Sequence, residues 1–208
     1  MPRELLIATT NQDKLREIKA ILAGVPFSLV ALADRPPVAA PEETGRTFAE
    51  NARLKALHYA AATASLTVAE DSGLEIDALG GAPGVESARW GGAEATYPQK
   101  FELIYRSLRA AGAAGSPARF VCAVALARGR DILWETRAIV EGAIAPAPRG
   151  ERGFGYDPIF FYPPFGCTLA EAGDRKSAVS HRGQAFRAFR DYLEGTDAGG
   201  SEDPPLLQ

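Results

Sequence analysis

Leu66-Thr67-Val68-Ala69-Glu70-Asp71-Ser72-Gly73-Leu74-Glu75-Ile76-Asp77 is the stretch where fold and chemistry meet in this chain. Leu66 to Ala69 is a short apolar run that reads as the end of a buried strand, and the residues after it read as an acidic turn. Four carboxylates, Glu70, Asp71, Glu75 and Asp77, fall within eight residues. Carboxylates crowded at a strand end repel one another unless a divalent cation or a basic partner joins them. Hard oxygen donors of this kind suit Mg²⁺, or Mn²⁺ as a substitute, with phosphate supplying further ligands. A solvated acidic turn fits the same residues, so the segment alone leaves both readings open.

Outward from this stretch, strands and helices alternate. Leu5 to Ala8 reads as a buried strand, and Thr9-Thr10-Asn11 offers N-cap residues for a helix with the stripe Leu15, Ile18, Ile21 and Leu22. Phe27 to Leu32 is a second strand, and residues 33–46 form a loop with three prolines. Thr47-Phe48-Ala49-Glu50 is a capping box that opens a helix to about Ala64. Residues 97–111 read as a helix, with Phe101, Ile104, Tyr105 and Leu108 on one face. Phe120 to Ala127 and Ile132 to Val140 read as a hairpin around Arg128-Gly129-Arg130-Asp131. A last helix from about Lys176 to Glu194 buries Phe186, Phe189, Tyr192 and Leu193. This order predicts an α/β fold with a mixed sheet and a second, hairpin-containing lobe. Residues 1–195 form the domain, and 196–208, rich in Gly, Pro and acid, form a disordered tail.

The 208 residues carry a formal charge of −3, with a pI near 5.5, which argues against a protein that coats nucleic acid. Cys122 and Cys167 stand alone, without a CxxC pair, so neither a disulfide scaffold nor structural zinc is expected and a reducing cytoplasm is the default. Nothing resembles a signal peptide, and no apolar run approaches the roughly 20 residues that span a bilayer. Neither a GxGxxG fingerprint nor a Walker A lysine loop is present. Arginine outnumbers lysine 18 to five, yet Lys14, Lys55 and Lys176 all fall in the segments that could carry chemistry. Lysine is a compact point charge that suits phosphate oxygens.

Those segments are four. Thr9-Thr10-Asn11-Gln12-Asp13-Lys14 sits where a strand gives way to a helix, a place that suits phosphate and equally an ordinary N-cap. In the next helix Asn51, Lys55 and His58 share one face near Glu43, while Leu54, Leu57 and Ala61 share another. That polar face could serve a metal–phosphate site or be merely solvated, with His58 as a surface or packing residue. Gly153-Phe154-Gly155-Tyr156-Asp157-Pro158 lets backbone approach a planar ligand, with Phe154 or Tyr156 for stacking and Asp157 as an acceptor; a tight turn also fits. Lys176-Ser177-Ala178-Val179-Ser180-His181-Arg182-Gly183 places cations at a helix start, against the helix dipole, which favours an oxyanion or carbonyl ligand over a structural role.

Together these segments resemble the inosine/xanthosine triphosphate pyrophosphatases. The markers are Thr9-x-Asn11-x-x-Lys14, Glu43-Thr44-Gly45-x-Thr47-Phe48-x-Glu50-Asn51-Ala52, Asp71-Ser72-Gly73-Leu74, Gly80-Gly81-Ala82-Pro83-Gly84, Gly153 to Pro158, and Ser180-His181-Arg182. Thr10 stands where the family often has glycine, and Asp13 adds a negative charge beside Lys14. The resemblance implies an elongated mixed sheet with flanking helices, two lobes around a deep cleft, and a homodimer. It implies Mg²⁺-dependent hydrolysis of ITP, dITP or XTP to the monophosphate and pyrophosphate. It further implies that Thr9 to Lys14, Lys55 and Lys176 hold phosphates, and that Glu43 and Asp71 handle metal. Asp71 would be the base, Ser72 would contact substrate, Phe154 to Asp157 would line the nucleoside pocket, and His181 and Arg182 would read the 6-oxo edge. Glu70, Glu75 and Asp77 are left with the solvated reading. Competing readings are a pyrophosphatase for other modified nucleotides and a catalytically silent nucleotide-binding regulator.

Overall fold

In the computed structural model, which describes residues 3–198, a mixed sheet carries the chain, with flanking helices. β1 (Arg3–Ile7) is followed by α1 (Gln12–Ile21), β2 (Phe27–Ala31) and α2 (Phe48–Thr63). β3 (Leu66–Ile76), α3 (Tyr97–Ala110), β4 (Pro117–Arg128) and β5 (Asp131–Ile144) come next. The chain ends in β6 (Phe160–Tyr162), β7 (Cys167–Thr168), α4 (Leu169–Ala172), α5 (Lys176–Val179) and α6 (His181–Ala198). The hydrogen-bonded strand order is β2-β1-β3-β4-β5-β6-β7. β1 pairs in parallel with β2 and β3, whereas β6 pairs antiparallel with β5 and β7, so the expected mixed α/β sheet is what forms.

The chain divides into two compact units. The first comprises Met1–Asp71, Cys122–Ala138 and Arg182–Gln208; the second, Ser72–Val121 and Ile139–His181. In the first, β1 and the head of β3 place Leu5, Ile7 and Val68 in one core with Ile18 and Leu22 of α1 and Phe186, Phe189 and Leu193 of α6. Ile18 and Leu22 are two of the four stripe positions read from sequence, and the other two, Leu15 and Ile21, pack against this core partly buried. In the second, Leu74 and Ile76 pack with Phe101, Ile104 and Leu108 of α3 and with Ile159, Phe160 and Leu169.

Local signals explain the element boundaries. Asn11 caps α1, its Oδ1 accepting from the Asp13 and Lys14 amides at 3.0 Å each. Thr47 Oγ accepts from the Glu50 amide at 3.2 Å while Glu50 Oε2 accepts from the Thr47 amide at 3.1 Å, closing the capping box of α2. Such caps contribute about 1 kcal/mol each. The β4–β5 hairpin turns at Gly129, whose φ of 60° is a left-handed conformation that glycine adopts without strain.

Three expectations are corrected. Residues 70–73 are not a turn: β3 runs unbroken to Ile76, because Leu74 and Ile76 resume the buried pattern. The final helix is not continuous from Lys176, since Ser180 is extended (φ −61°, ψ 146°) and divides α5 from α6. α6 then runs past Glu194 and Gly195 to Ala198, so residues 196–198, expected in the tail, are helical; the rest of that tail lies outside the described residues.

Phe186 is fully buried at the centre of the first core. Phe186→Ala is expected to cost about 3–5 kcal/mol of unfolding free energy, measured by urea denaturation followed by circular dichroism. A loss below about 1 kcal/mol would mean that this core is not packed as described.

Candidate active site

β3 delivers two adjacent carboxylates, and strand geometry sends neighbouring side chains to opposite faces. Asp71, buried, meets α2: its Oδ1 accepts from Lys55 Nζ at 2.8 Å and its Oδ2 from Asn51 Nδ2 at 3.2 Å. Lys55 Nζ also donates to Glu43 Oε1 at 3.0 Å, so one ammonium joins the two acids read as metal ligands. Lys55 and Asn51 are four residues apart and lie on one helix face, as their spacing requires. Burial would lower the Lys55 pKa, but Asp71 and Glu43 outweigh it and raise it. Burial raises the Asp71 carboxyl, and Lys55 only partly offsets that.

Asn51 does more than share this face. It is fully buried, and its Oδ1 accepts from the Gly45 amide at 2.8 Å while its amide nitrogen holds Asp71. One side chain thus ties the loop that carries Glu43 to the strand that carries Asp71. Gly45 must be glycine, since a Cβ there would lie 2.5 Å from Asn51 Oδ1. The sequence marked Asn51 by its spacing to Lys55 but not by this bridging role.

On the other face, Glu70 is buried, not solvated as the sequence reading left it. Its Oε1 lies 2.8 Å from Lys14 Nζ and 3.2 Å from Arg182 Nη2, and its Oε2 accepts from Cys122 Sγ at 3.1 Å. Arg182 Nη1 reaches Glu17 Oε2 at 2.9 Å. Burial alone would raise the Glu70 carboxyl, but Arg182 and then Lys14 reverse this and hold it well below the usual carboxylate range. Strand alternation after Ala69 was the signal that could have found this residue. Glu75 and Asp77 do pair at the surface, both with Arg119.

The remaining segments divide the same way, between built contacts and open ones. Thr10, Asn11 and Gln12 are exposed, and Thr9 Oγ accepts from the Asn11 amide at 3.2 Å. The Asp13 and Lys14 amides are taken by the Asn11 cap, so the first turn of α1 offers fewer donors to an anion than its sequence suggests. Asp13 is paired with Arg16 at 3.0 Å, which offsets the charge that it brings beside Lys14. Ser72 is half-buried in β3. His58 meets the Ala39 carbonyl at 2.7 Å, in keeping with a packing role.

In the second unit, two segments that the sequence separates come together. Asp157 Oδ2 accepts from the Phe154 amide at 2.9 Å and from Lys176 Nζ at 2.7 Å, and that ammonium lies 4.6 Å from the Phe154 ring centroid. Gly153 has φ 77° and its missing Cβ would fall 2.2 Å from Asp157 Oδ2, so the turn closes only with glycine. Tyr156 is not a free stacking face: it is buried, edge-on to Tyr97 at 5.4 Å, with its hydroxyl donating to the Ser87 carbonyl at 2.7 Å. His181 is buried and stacks on Phe120 with centroids 4.7 Å apart, while the adjacent Arg182 is committed to Glu70 and Glu17.

This set of paired lysines and acids belongs to a chain whose residues 5–192 match the sequence model of the Ham1 family. The chain is a member of the Ham1 family. A dITP/XTP pyrophosphatase of Gloeobacter violaceus is 50% identical over 201 residues, 96% of this chain and 97% of that protein. One from Thermus thermophilus is 44% identical over 194 residues, 92% and 93% of the two chains. Among solved structures, a HAM1 protein from Coxiella burnetii superposes with a TM-score of 0.85 at 38% identity, covering 93% of this chain and 99% of that one. A nucleoside-triphosphatase / dITP/XTP pyrophosphatase from Mycobacterium abscessus gives a TM-score of 0.71 at 37% identity, covering 89% and 97%. These Ham1 relatives match nearly the whole described chain, so both of its compact units belong to the family architecture.

Because the Glu70 pKa is depressed in the folded state, its stabilisation is complete above the ordinary carboxylate value of 4.5 and is lost as pH falls toward the folded value. Glu70→Gln is expected to lose about 3 kcal/mol near neutrality, and urea unfolding should show the gap to wild type shrinking between about pH 5 and about pH 3. A gap independent of pH over that range contradicts the assignment.

Proposed function

We infer that this chain hydrolyses non-standard purine nucleoside triphosphates, ITP, dITP and XTP, to the monophosphate and pyrophosphate. Family membership over residues 5–192 supports this reading. The observation that carries it at the level of atoms is the Lys55 ammonium shared by Glu43 and Asp71.

Glu43 and Asp71 are hard oxygen donors held by one ammonium, with the Glu43 side chain partly open to solvent, and this fits a divalent ion that keeps water and phosphate as its other ligands. Among the described residues no third His, Cys, Asp or Glu completes an all-protein cage, as Mg²⁺ does not require one. Such an ion, when bound, would neutralise charge building on the phosphates during displacement.

Asp71 is the proposed base that takes a proton from the attacking water. Its carboxyl is raised by burial and oriented at both oxygens, by Lys55 and Asn51, so it can accept a proton without swinging free. General base catalysis of this kind contributes roughly 10²- to 10⁴-fold. Lys55 and Lys14 are the proposed phosphate ligands of the first unit, with the Thr9 to Gln12 turn and Ser72 as further substrate contacts. Phe154, Asp157 and Lys176 of the second unit present an aromatic face, an acceptor and a cation suited to a nucleotide. His181 is the proposed reader of the 6-oxo edge, since a buried donor left facing a 6-amino group would stay unpaired; the Arg182 side chain, assigned to that edge from the sequence, is instead committed to Glu70 and Glu17. Two copies of the chain are the proposed working unit. The two thiols, neither in a disulfide, suit a reducing cytoplasm, and no described helix is long and apolar enough to cross a membrane.

The test is pyrophosphate release, coupled to inorganic pyrophosphatase, on ITP, dITP, XTP, GTP, ATP and UTP with Mg²⁺. The three non-standard purines should exceed ATP in kcat/KM by at least about 10²-fold, and Asp71→Asn should fold normally yet lose nearly all turnover. Equal turnover of GTP or UTP sinks the substrate assignment, and wild-type kcat in Asp71→Asn sinks the base.

A further inference from the structure

Lys14, the lysine of the first-turn segment, already has a partner. Its ammonium lies 2.8 Å from Glu70 Oε1, with the lysine side chain one-fifth exposed and the glutamate side chain 1% exposed. The two ends of this pair are not alike. Glu70 is fixed from two further directions, by the Arg182 guanidinium (Nε to Oε1 3.3 Å, Nη2 to Oε1 3.2 Å) and by the Cys122 thiol at Oε2. Lys14 is held at its backbone by the Asn11 cap, but its ammonium rides on a flexible four-carbon stem at the solvent edge of the cluster. Withdrawing the lysine therefore leaves the carboxylate satisfied, whereas withdrawing the carboxylate leaves two cations facing each other.

We propose that Glu70 is the resident counter-ion of the phosphate site: it holds the Lys14 ammonium in place in the free protein and yields it when a phosphate oxygen takes its place. This deepens the pyrophosphatase reading and rests on it for Lys14 as a phosphate ligand. Glu70 is thus a positioning residue that never touches substrate. One ion pair is exchanged for another, so the site pays for binding with a buried pair and releases pyrophosphate readily. Glu70 should accordingly weaken anion binding, the opposite of what a purely structural carboxylate would do.

The probe is pyrophosphate, titrated calorimetrically into full-length protein with chelator present, so that neither metal nor turnover contributes. Glu70→Gln keeps the shape and an oxygen for Arg182 while removing the competing charge. It should bind pyrophosphate at least about fivefold more tightly than wild type, and in a Lys14→Met background the same substitution should change affinity less than about twofold. Circular dichroism checks that each variant is folded. If Glu70→Gln does not fold, Glu70→Asp decides, because it keeps the charge for Arg182 but shortens the reach to Lys14, and it should tighten binding by a smaller factor. Unchanged or weaker pyrophosphate binding in the folded variant overturns the proposal. Failure of wild type to hydrolyse purine triphosphates overturns the pyrophosphatase reading instead, and the two results are read separately.

Discussion

Everything chemical in the first unit depends on one constraint, the alternation of side chains along β3 as it passes through Glu70 and Asp71. Two adjacent carboxylates on one face of a buried strand would repel in a medium that screens poorly. The pleat sends one to each face, and each face supplies its own cation from a different helix. Glu70 meets Lys14 of α1 and Arg182 of α6, and Asp71 meets Lys55 of α2. The strand can stay extended and buried only because both charges are matched.

The two matches are built differently, and the difference sets their roles. Glu70 is closed in, its carboxylate surrounded by two cations and a thiol, and it stays ionised far below neutrality. Asp71 is less tightly held: burial raises its carboxyl, Lys55 and, behind it, Lys14 only partly answer this, and Glu43 nearby adds to the raising. A group in the first state fixes its neighbours, and one in the second can handle protons. Asn51 completes the second arrangement by binding the Glu43 loop and Asp71 with the two ends of one amide, so loop and strand are tied together. Lys176 with Asp157 repeats the lysine–acid theme in the second unit.

Much of this was legible in the residues. Periodicity located the core stripes of α1, α3 and α6, and the N-cap at Asn11 and the capping box at Thr47 mark helix starts that the structure keeps. Lys55 was marked by its spacing, and Asp71 was one of four crowded carboxylates that the resemblance narrowed to one; the two meet. Three things were hidden, each for a physical reason. The strand through Glu70 was concealed because four carboxylates mask the apolar alternation that Leu74 and Ile76 resume. The break at Ser180 leaves no Gly or Pro in sequence to announce it. The cluster in which Glu70 pairs with both Lys14 and Arg182 joins residues up to 168 positions apart, a distance over which spacing carries no information. Resemblance to known pyrophosphatases brought the site segments together, but it left Glu70 and the bridging role of Asn51 unmarked.

β3 presents two independent charge pairs on opposite faces. Double-mutant cycles on unfolding free energy test it most directly. Lys14→Met with Glu70→Gln, and Lys55→Met with Asp71→Asn, should each show a coupling of at least about 1.5 kcal/mol, while Lys55→Met with Glu70→Gln should be additive within about 0.5 kcal/mol. Strong coupling across the strand between Lys55 and Glu70, or additivity within either pair, would contradict it.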